Sequence, residues 1–244
     1  MQFLANLLCR MRFLANLLCR VQFLAILLFL TLPLFTTLNL RAADCTDDLL
    51  VDEYKNFAEL SSHETEGIDY SITAQKRESP SLILAIHGGE IEFGTEEIAQ
   101  SIADNSHSLF IFKGLKKEKA RKLHITSTNF DHPEALKLAS QSKHCLSIHG
   151  FRELKSKICI GGNNERLRMK LSEVLSKSFS YIEIEDFCPG IGGQSPKNIV
   201  NRCQNEGVQL ELSTGLRELL ISQPETMKIF IHEIKSTWQK ETQN

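Results

Sequence analysis

The stretch Leu82-Ile-Leu-Ala-Ile-His-Gly-Gly-Glu-Ile-Glu92 decides the predicted fold. Its first half is a continuous apolar run, short enough for a β-strand that is buried on both faces. The run ends at His87 and two glycines, and Thr95 then caps a predicted helix whose first turn holds two glutamates, where the helix dipole favours acids. Strand, glycine turn and helix form the unit that places ligands at the carboxyl edge of an α/β sheet.

Strands and helices are predicted to alternate along the rest of the chain. The predicted strands are residues 69–74, 82–86, 108–113, 145–150, 157–160, 181–185 and 208–213, and residues 123–128 are predicted to be a strand or the approach to one. Helices are predicted near 50–60, after Thr95, over 131–142 and 165–178, and twice at the end of the chain, the last from Ser222. This order predicts an α/β fold with a mixed, largely parallel sheet flanked by helices.

Residues 1–43 differ from the remainder. They contain four arginines and no acid, and the segment Phe3–Arg10 recurs unchanged at Phe13–Arg20. Basic residues followed by the apolar stretch 21–40 and by Ala42-Ala43 predict a signal peptide, with Met1 or Met11 as its start. Cleavage would leave a single domain of residues 44–244 in a secreted or periplasmic protein. The alternative is an uncleaved anchor, because twenty apolar residues can span a bilayer.

Charge and cysteine content exclude several classes of protein. Removing four of the 28 basic residues with the leader leaves all 30 acids and a formal charge of −6, which offers no electrostatic footprint for nucleic acid. Five cysteines follow the leader without a Cys-x-x-Cys pair, which argues against a structural zinc site. Export permits disulfides, and a Cys188–Cys203 pair is the first candidate.

Polar, metal-competent groups stand at three predicted strand ends or cleft-facing positions. They are His87 with Glu92, His149, and Glu211. Two histidines and a carboxylate form a three-ligand zinc set that leaves a fourth position for water, and a second glutamate can serve as general base. The alternative is that His149 is an ordinary core histidine and that Glu211 pairs with Arg217.

The same residues carry a resemblance to a known family. The segment 87–92 with Gly94-Thr95, the segments 123–128 and 147–150, and Gly207-Val-Gln-Leu-Glu211-Leu-Ser213 resemble the poly-γ-glutamate hydrolases of bacteriophages and bacteria. The resemblance covers most of residues 52–217. It implies a fold similar to zinc carboxypeptidases and hydrolysis of γ-glutamyl amide bonds with one zinc ion.

The resemblance also implies roles for individual residues. His87, Glu92 and His149 would ligate zinc, and Glu211 would be the general base. Arginines suit the oxyanion or substrate carboxylates because of their forked geometry, and Arg202 ranks before Arg152 and Arg121. The residues assigned to substrate binding are Arg152, Arg121, His124 and Asn201.

Two further functions remain open from the sequence. One is an exported amidase or peptidase acting on peptidoglycan fragments, since both substrates contain γ-glutamyl bonds. The other is a binding module that keeps the fold without catalysis. The expected partner is a γ-glutamyl polymer or peptide bound by a monomer, with membrane contact only through an uncleaved leader.

Overall fold

A computed structural model of the chain describes residues 52–242. The predicted leader over residues 1–43 and Cys45 lie outside this range. Within the described residues, no helix combines the length and apolar character needed to cross a bilayer.

Seven strands and six α-helices alternate along the described residues, as the apolar runs predicted. The strands are β1 (Tyr70–Gln75), β2 (Ser81–Gly89), β3 (Ser108–Gly114), β4 (His144–Phe151), β5 (Lys157–Gly161), β6 (Glu183–Asp186) and β7 (Gly207–Ser213). The helices are α1 (Phe57–His63), α2 (Thr95–Ala103), α3 (Pro133–Gln141), α4 (Glu165–Ser178), α5 (Thr214–Ser222) and α6 (Pro224–Thr242). Two short 3-10 helices, Ala120–Leu123 and Ile199–Arg202, complete the elements.

The strands form one mixed sheet in the order β1-β3-β2-β4-β7-β5-β6. The central strands β3, β2, β4 and β7 are parallel to one another, whereas β1 pairs with β3 and β5 pairs with β7 in antiparallel fashion. The predicted mixed, largely parallel sheet is therefore confirmed. Parallel strands end at the same edge of a sheet, so the carboxyl ends of β2, β4 and β7 are neighbours.

Helices cover both faces of the sheet. One hydrophobic cluster joins Ile83 and Leu146 of the sheet to α2, α4, α5 and α6, and its largest member is the fully buried Trp238. The other joins Leu82 and Phe110 to α1 and α3. Strand β2 is buried along almost its whole length because both of its faces carry apolar side chains against a helical layer.

The disulfide pairing differs from the predicted Cys188–Cys203. The pairs are Cys145–Cys203 and Cys159–Cys188, with Cα atoms 5.9 and 5.8 Å apart. Cys188 follows the edge strand β6, which pairs with the Cys159 strand, whereas Cys203 precedes β7 beside the start of β4. Cys188 and Cys203 are thus held on different parts of the sheet although they are close in sequence.

Two local predictions are also wrong. Gly94, not Thr95, is the N-cap of α2, because the chain adopts a left-handed conformation there (φ 91°) that glycine tolerates best. Residues 123–128 form no strand: the 3-10 helix Ala120–Leu123 leads into a turn. This segment instead lies over the carboxyl edge of the sheet, where Ile125 hydrogen bonds to His87.

Candidate metal centre

The predicted ligands meet at the carboxyl ends of adjacent parallel strands. His87 lies near the end of β2, His149 near the end of β4, and Glu92 in the turn between β2 and α2. All three are buried, with exposed fractions of 2%, 2% and 7%. The turn folds back because the amide of Glu92 donates to the carbonyl of His87 over 3.0 Å. The sheet order, and not sequence proximity, brings His149 to the other two.

One ligand atom from each of the three residues lies within 4.8 Å of the others. Nδ1 of His87 is 3.2 Å from Oε1 of Glu92 and 3.1 Å from Nδ1 of His149. Ligand atoms about 2.0–2.1 Å from a tetrahedral zinc ion lie about 3.3–3.4 Å apart. The two measured separations are close to this spacing, so the donor set fits a small tetrahedral cation.

The hydrogen-bond partner of His87 prepares its Nδ1 as a ligand. Nε2 of His87 donates to the carbonyl of Ile125 over 2.9 Å, which places the ring proton on Nε2. The lone pair of a neutral ring then lies on Nδ1, the atom that faces Glu92 and His149. A backbone carbonyl in this position is a common outer partner of metal-bound histidine.

His149 is also suited to bind a metal. Burial, together with the neighbouring His87, lowers the pKa of His149 to about 3, so its ring is neutral at neutral pH and retains a lone pair. Nε2 of His149 is buried and has no hydrogen-bond partner among the described residues. The expectation of an ordinary, fully satisfied core histidine therefore does not describe this side chain.

Glu92 is held as an ionised carboxylate. Its Oε2 accepts from the amide of Gly150 over 2.7 Å, and its Oε1 faces His87 and Arg121. Burial by itself raises the pKa of Glu92, but the interactions with His87, His149 and His124 together outweigh burial and hold the pKa well below the ordinary value. An ionised carboxylate beside two imidazoles is the donor set of many catalytic zinc sites.

Glu211 lies beside the three ligands but in a different environment. It is register partner of His149 across β7 and β4, and it is 7% exposed. Burial raises the pKa of Glu211 well above its ordinary value, and the negative charge of Glu92 raises it further. A buried carboxyl group with a raised pKa suits proton transfer near neutral pH.

A chain of amides holds Glu211 in place. Nε2 of Gln209 donates to Oε1 of Glu211 over 2.8 Å, and Nδ2 of Asn198 donates to Oε1 of Gln209 over the same distance. Val208, Leu210 and Leu212 pack on the opposite face in the main core, because successive side chains of a strand point to opposite faces. Sequence analysis did not identify the roles of Asn198 and Gln209, although Gln209 lies two residues before Glu211 on the same strand and therefore shares its face.

Arg217 is not the ion-pair partner of Glu211 among the described residues. Its guanidinium donates to the carbonyls of Leu212, Phe93 and Phe151, which ties the turn after β2 to the ends of β4 and β7. A Cβ at Gly150 would come within 2.5 Å of this guanidinium, so a larger residue at position 150 would displace it. Arg217 thus stabilises the backbone segments that surround the metal centre.

Two of the predicted substrate-binding residues lie at the centre. Nη1 of Arg121 is 3.4 Å from Oε1 of Glu92, and its side chain is one-third exposed. The ring of His124 stacks on that of His87 with centroids 4.0 Å apart, and its Nε2 lies 3.8 Å from Oε1 of Glu92. Burial and the adjacent His87 lower the pKa of His124 to about 4.

The other three predicted residues are placed differently. The exposed Arg202 bonds the carbonyl of Lys197, and Arg152 is exposed in the connection between β4 and β5. Asn201 is buried, and both of its amide donors bind carbonyls of the preceding loop, at Gly193 and Ser195. The structure therefore brings Arg121 and His124 to the ligands, and the described contacts of the other three lie elsewhere.

Asp52 is a neighbour of the centre that sequence analysis did not identify. Its carboxylate binds His124 and the amide of Thr126, 72 and 74 residues further along the chain. No local pattern signals such a contact, because it depends on how distant segments pack.

Fold and site together define an α/β protein with a buried candidate metal centre of two histidines and one glutamate. Residues 54–237 match the family model described as poly-gamma-glutamate hydrolase. The chain therefore belongs to the poly-γ-glutamate hydrolase family, as its motifs indicated.

Three comparisons with relatives agree with this assignment. The chain is 38% identical over 170 residues to the UPF0714 protein YndL of Bacillus subtilis (strain 168), covering 69% of this chain and 67% of YndL. It is 37% identical to the SPbeta prophage-derived UPF0714 protein YoqZ of the same organism, covering 69% and 61%. A solved bacteriophage poly-gamma-glutamate hydrolase superposes with a TM-score of 0.74 at 29% identity, covering 79% of this chain and 99% of that one.

A fourth comparison concerns a structure of YndL described as apo and zinc-free. It superposes with a TM-score of 0.70 at 33% identity, covering 80% of this chain and 98% of that chain. The mixed sheet with flanking helices is thus the fold that both solved relatives share.

Proposed function

We propose that this chain is a zinc-dependent hydrolase that cleaves γ-glutamyl amide bonds. The observation that carries the proposal is the convergence of His87, Glu92 and His149 beside the buried Glu211. Membership of the poly-γ-glutamate hydrolase family supports the bond type. A relative whose structure is described as zinc-free supports zinc as the ion.

His87, Glu92 and His149 would hold the ion. When bound there, zinc would activate a water as nucleophile and polarise the amide carbonyl. The residues themselves supply the rest: Ile125 orients His87, and the amide of Gly150 orients Glu92. The burial of all three ligands lowers the local dielectric and strengthens their interaction with a cation.

Glu211 would transfer the proton. Its carboxylate accepts a proton from the attacking water and then donates it to the departing nitrogen, which leaves as a neutral amine. Gln209 holds one carboxyl oxygen through a 2.8 Å hydrogen bond and leaves the other for this transfer.

Arg121 would meet the negative charge of the substrate or of the tetrahedral oxyanion. Arg121 is one-third exposed, so its guanidinium can turn from Glu92 toward a bound carboxylate or oxyanion. His124 presents Nε2 to the same space, where its lone pair would accept a hydrogen bond from a substrate N–H or O–H group. We retain Arg202, Arg152 and Asn201 as proposed contacts for a longer substrate.

The proposal includes the setting in which the enzyme acts. We propose that residues 1–43 direct export and that the protein works as a secreted or periplasmic monomer. The two disulfides of the described chain are consistent with an oxidising compartment.

Metal analysis and substrate assays test the proposal together. Purified protein is expected to hold one zinc ion per chain, lose activity with a chelator and regain it with zinc. Poly-γ-glutamate should be shortened, as measured by size-exclusion chromatography. Cleavage of γ-glutamyl muropeptides alone would favour the peptidoglycan alternative, and zinc binding without cleavage of either substrate would favour a binding module.

A further inference from the structure

The carboxylate of Asp52 holds both ends of the turn that lies over the metal centre. Oδ1 of Asp52 is 2.6 Å from Nδ1 of His124, and Oδ2 accepts from the amide of Thr126 over 2.6 Å. The Asp52 side chain is 11% exposed, so water competes little for these bonds. Because both oxygens of one carboxylate are used, the segment from His124 to Thr126 is fixed at two points.

The residue between those two points contacts a candidate metal ligand. The carbonyl of Ile125 accepts the hydrogen bond from Nε2 of His87 over 2.9 Å. This bond keeps the ring proton of His87 on Nε2 and leaves Nδ1 for a cation. Any shift of the turn would move the Ile125 carbonyl and weaken that selection.

Asp52 also selects the tautomer of His124. An ionised carboxylate only accepts hydrogen bonds, so Nδ1 of His124 must be the protonated nitrogen. Nε2 of the neutral ring then carries the lone pair and lies 3.8 Å from Oε1 of Glu92. Since the rings of His124 and His87 stack at 4.0 Å, fixing one ring also restrains the other.

We propose that Asp52 is a positioning residue that sets the tautomers of His87 and His124 through the turn 124–126. It acts on the metal ligand through the Ile125 carbonyl and on His124 directly. This inference rests on the proposed function for the identity of the ion. The tautomers themselves are properties of the metal-free protein and can be measured without it.

The variant that tests the proposal is Asp52→Asn. Asparagine has nearly the same shape, but one of its two polar atoms donates rather than accepts. It therefore cannot satisfy both the amide of Thr126 and Nδ1–H of His124. Outer partners of metal-bound histidine affect affinity by about 10–100-fold, so zinc affinity in chelator competition is expected to fall by about that factor.

Asp69→Asn is the matched control. Asp69 also accepts from a backbone amide, that of Thr65 over 2.7 Å, and it also pairs with a cation, Lys116 at 3.2 Å. Among the described residues, Asp69 makes no hydrogen bond or ion pair with His87, Glu92 or His149. The zinc affinity of the Asp69→Asn protein is expected to stay within twofold of the wild type.

A second measurement makes the test independent of whether Asp52→Asn folds. Long-range nitrogen–proton NMR spectra of the metal-free wild type are expected to show His87 protonated on Nε2 and His124 on Nδ1. In a folded Asp52→Asn protein, either ring is expected to show a mixed or inverted pattern. Wild-type His124 protonated on Nε2, or unchanged zinc affinity in folded Asp52→Asn, would overturn the inference. A wild type that bound no zinc would instead defeat the proposed function, and the NMR result would still decide the role of Asp52.

Discussion

Glu92 and Glu211 lie in the same centre and are equally buried, yet their surroundings are opposite. Glu92, in the turn after β2, is met by the amide of Gly150, by His87 and by Arg121. Glu211, on β7, receives one hydrogen bond from Gln209 and faces the charge of Glu92. Their pKa values consequently move in opposite directions, downward for Glu92 and upward for Glu211.

The same chemical group can therefore have two different roles within one site, because its surroundings determine its protonation state. A carboxylate surrounded by donors stays ionised and suits a cation, whereas a buried carboxyl group with few donors holds its proton to a higher pH and suits proton transfer. The comparison therefore predicts that the two glutamates are not interchangeable. Four experiments test this comparison of the two glutamates and their surroundings.

The largest effect is expected from removal of a ligand. Glu92→Ala and His149→Ala should each reduce zinc from one equivalent to a small fraction and reduce activity to background, because two ligands are too few for a stable site. Atomic absorption of dialysed protein measures the first effect and a polymer assay the second. Full zinc occupancy in either variant would show that the ligand set is wrong.

The next effect concerns Glu211. Glu211→Gln preserves shape and the bond from Gln209 but removes the proton acceptor, so kcat should fall by about 10²–10⁴-fold with zinc content unchanged. The exposed Glu218→Gln, seven residues further on, is the control and should retain wild-type kcat. Near-normal turnover in Glu211→Gln would show that Glu211 is not the general base.

A smaller effect separates two arginines. Arg121→Met should lower kcat/KM by about 10–100-fold, because it removes a charge-assisted contact worth about 1.5–3 kcal/mol. Arg202→Met is expected to cost less than tenfold, since Arg202 is exposed and bonds the carbonyl of Lys197. If Arg202→Met were the more damaging change, the loop that carries Arg202 would have to close over bound substrate.

The smallest effect is on the stability of the metal-free protein. Because the pKa of Glu211 is higher in the folded than in the unfolded chain, wild-type stability falls as pH rises between those two values. Glu211→Gln does not titrate, so its advantage should be near zero at pH 4.5 and grow toward pH 8. Each 1 kcal/mol should raise Tm by about 2–4 °C. A Tm difference independent of pH would contradict the raised pKa.

The sequence predicted most of the fold because its signals are local. The apolar runs at Leu82–Ile86 and Leu146–Ile148 fill strands, and the alternation from Val208 to Ser213 places Glu211 on the face opposite the core. Predictions from local sequence patterns were wrong where tertiary contacts determine the backbone conformation. Residues 123–128 alternate like a strand, but they bind the carboxyl edge of the sheet through Ile125 and Asp52 instead.

The ligand types and their positions at strand ends were likewise readable from the chain. The sequence did not show which arginine lies near the ligands, because Arg121 and Arg202 both lie in 3-10 segments whose orientation depends on loop packing. The same applies to the cysteines: their partners follow from the strand order, which puts Cys145 beside the segment that precedes β7.

The alternation of strands and helices, the chemistry of His87, Glu92 and His149, and the family could be predicted from the sequence. Periodicity and residue type act within a few residues, so the sequence of one chain is enough to recognise them. The disulfide pairs, the opposite environments of the two glutamates and the link from Asp52 to the metal centre follow from the tertiary structure. Burial and hydrogen bonding between residues 58 to 74 positions apart depend on the order of strands in the sheet, which no local pattern contains.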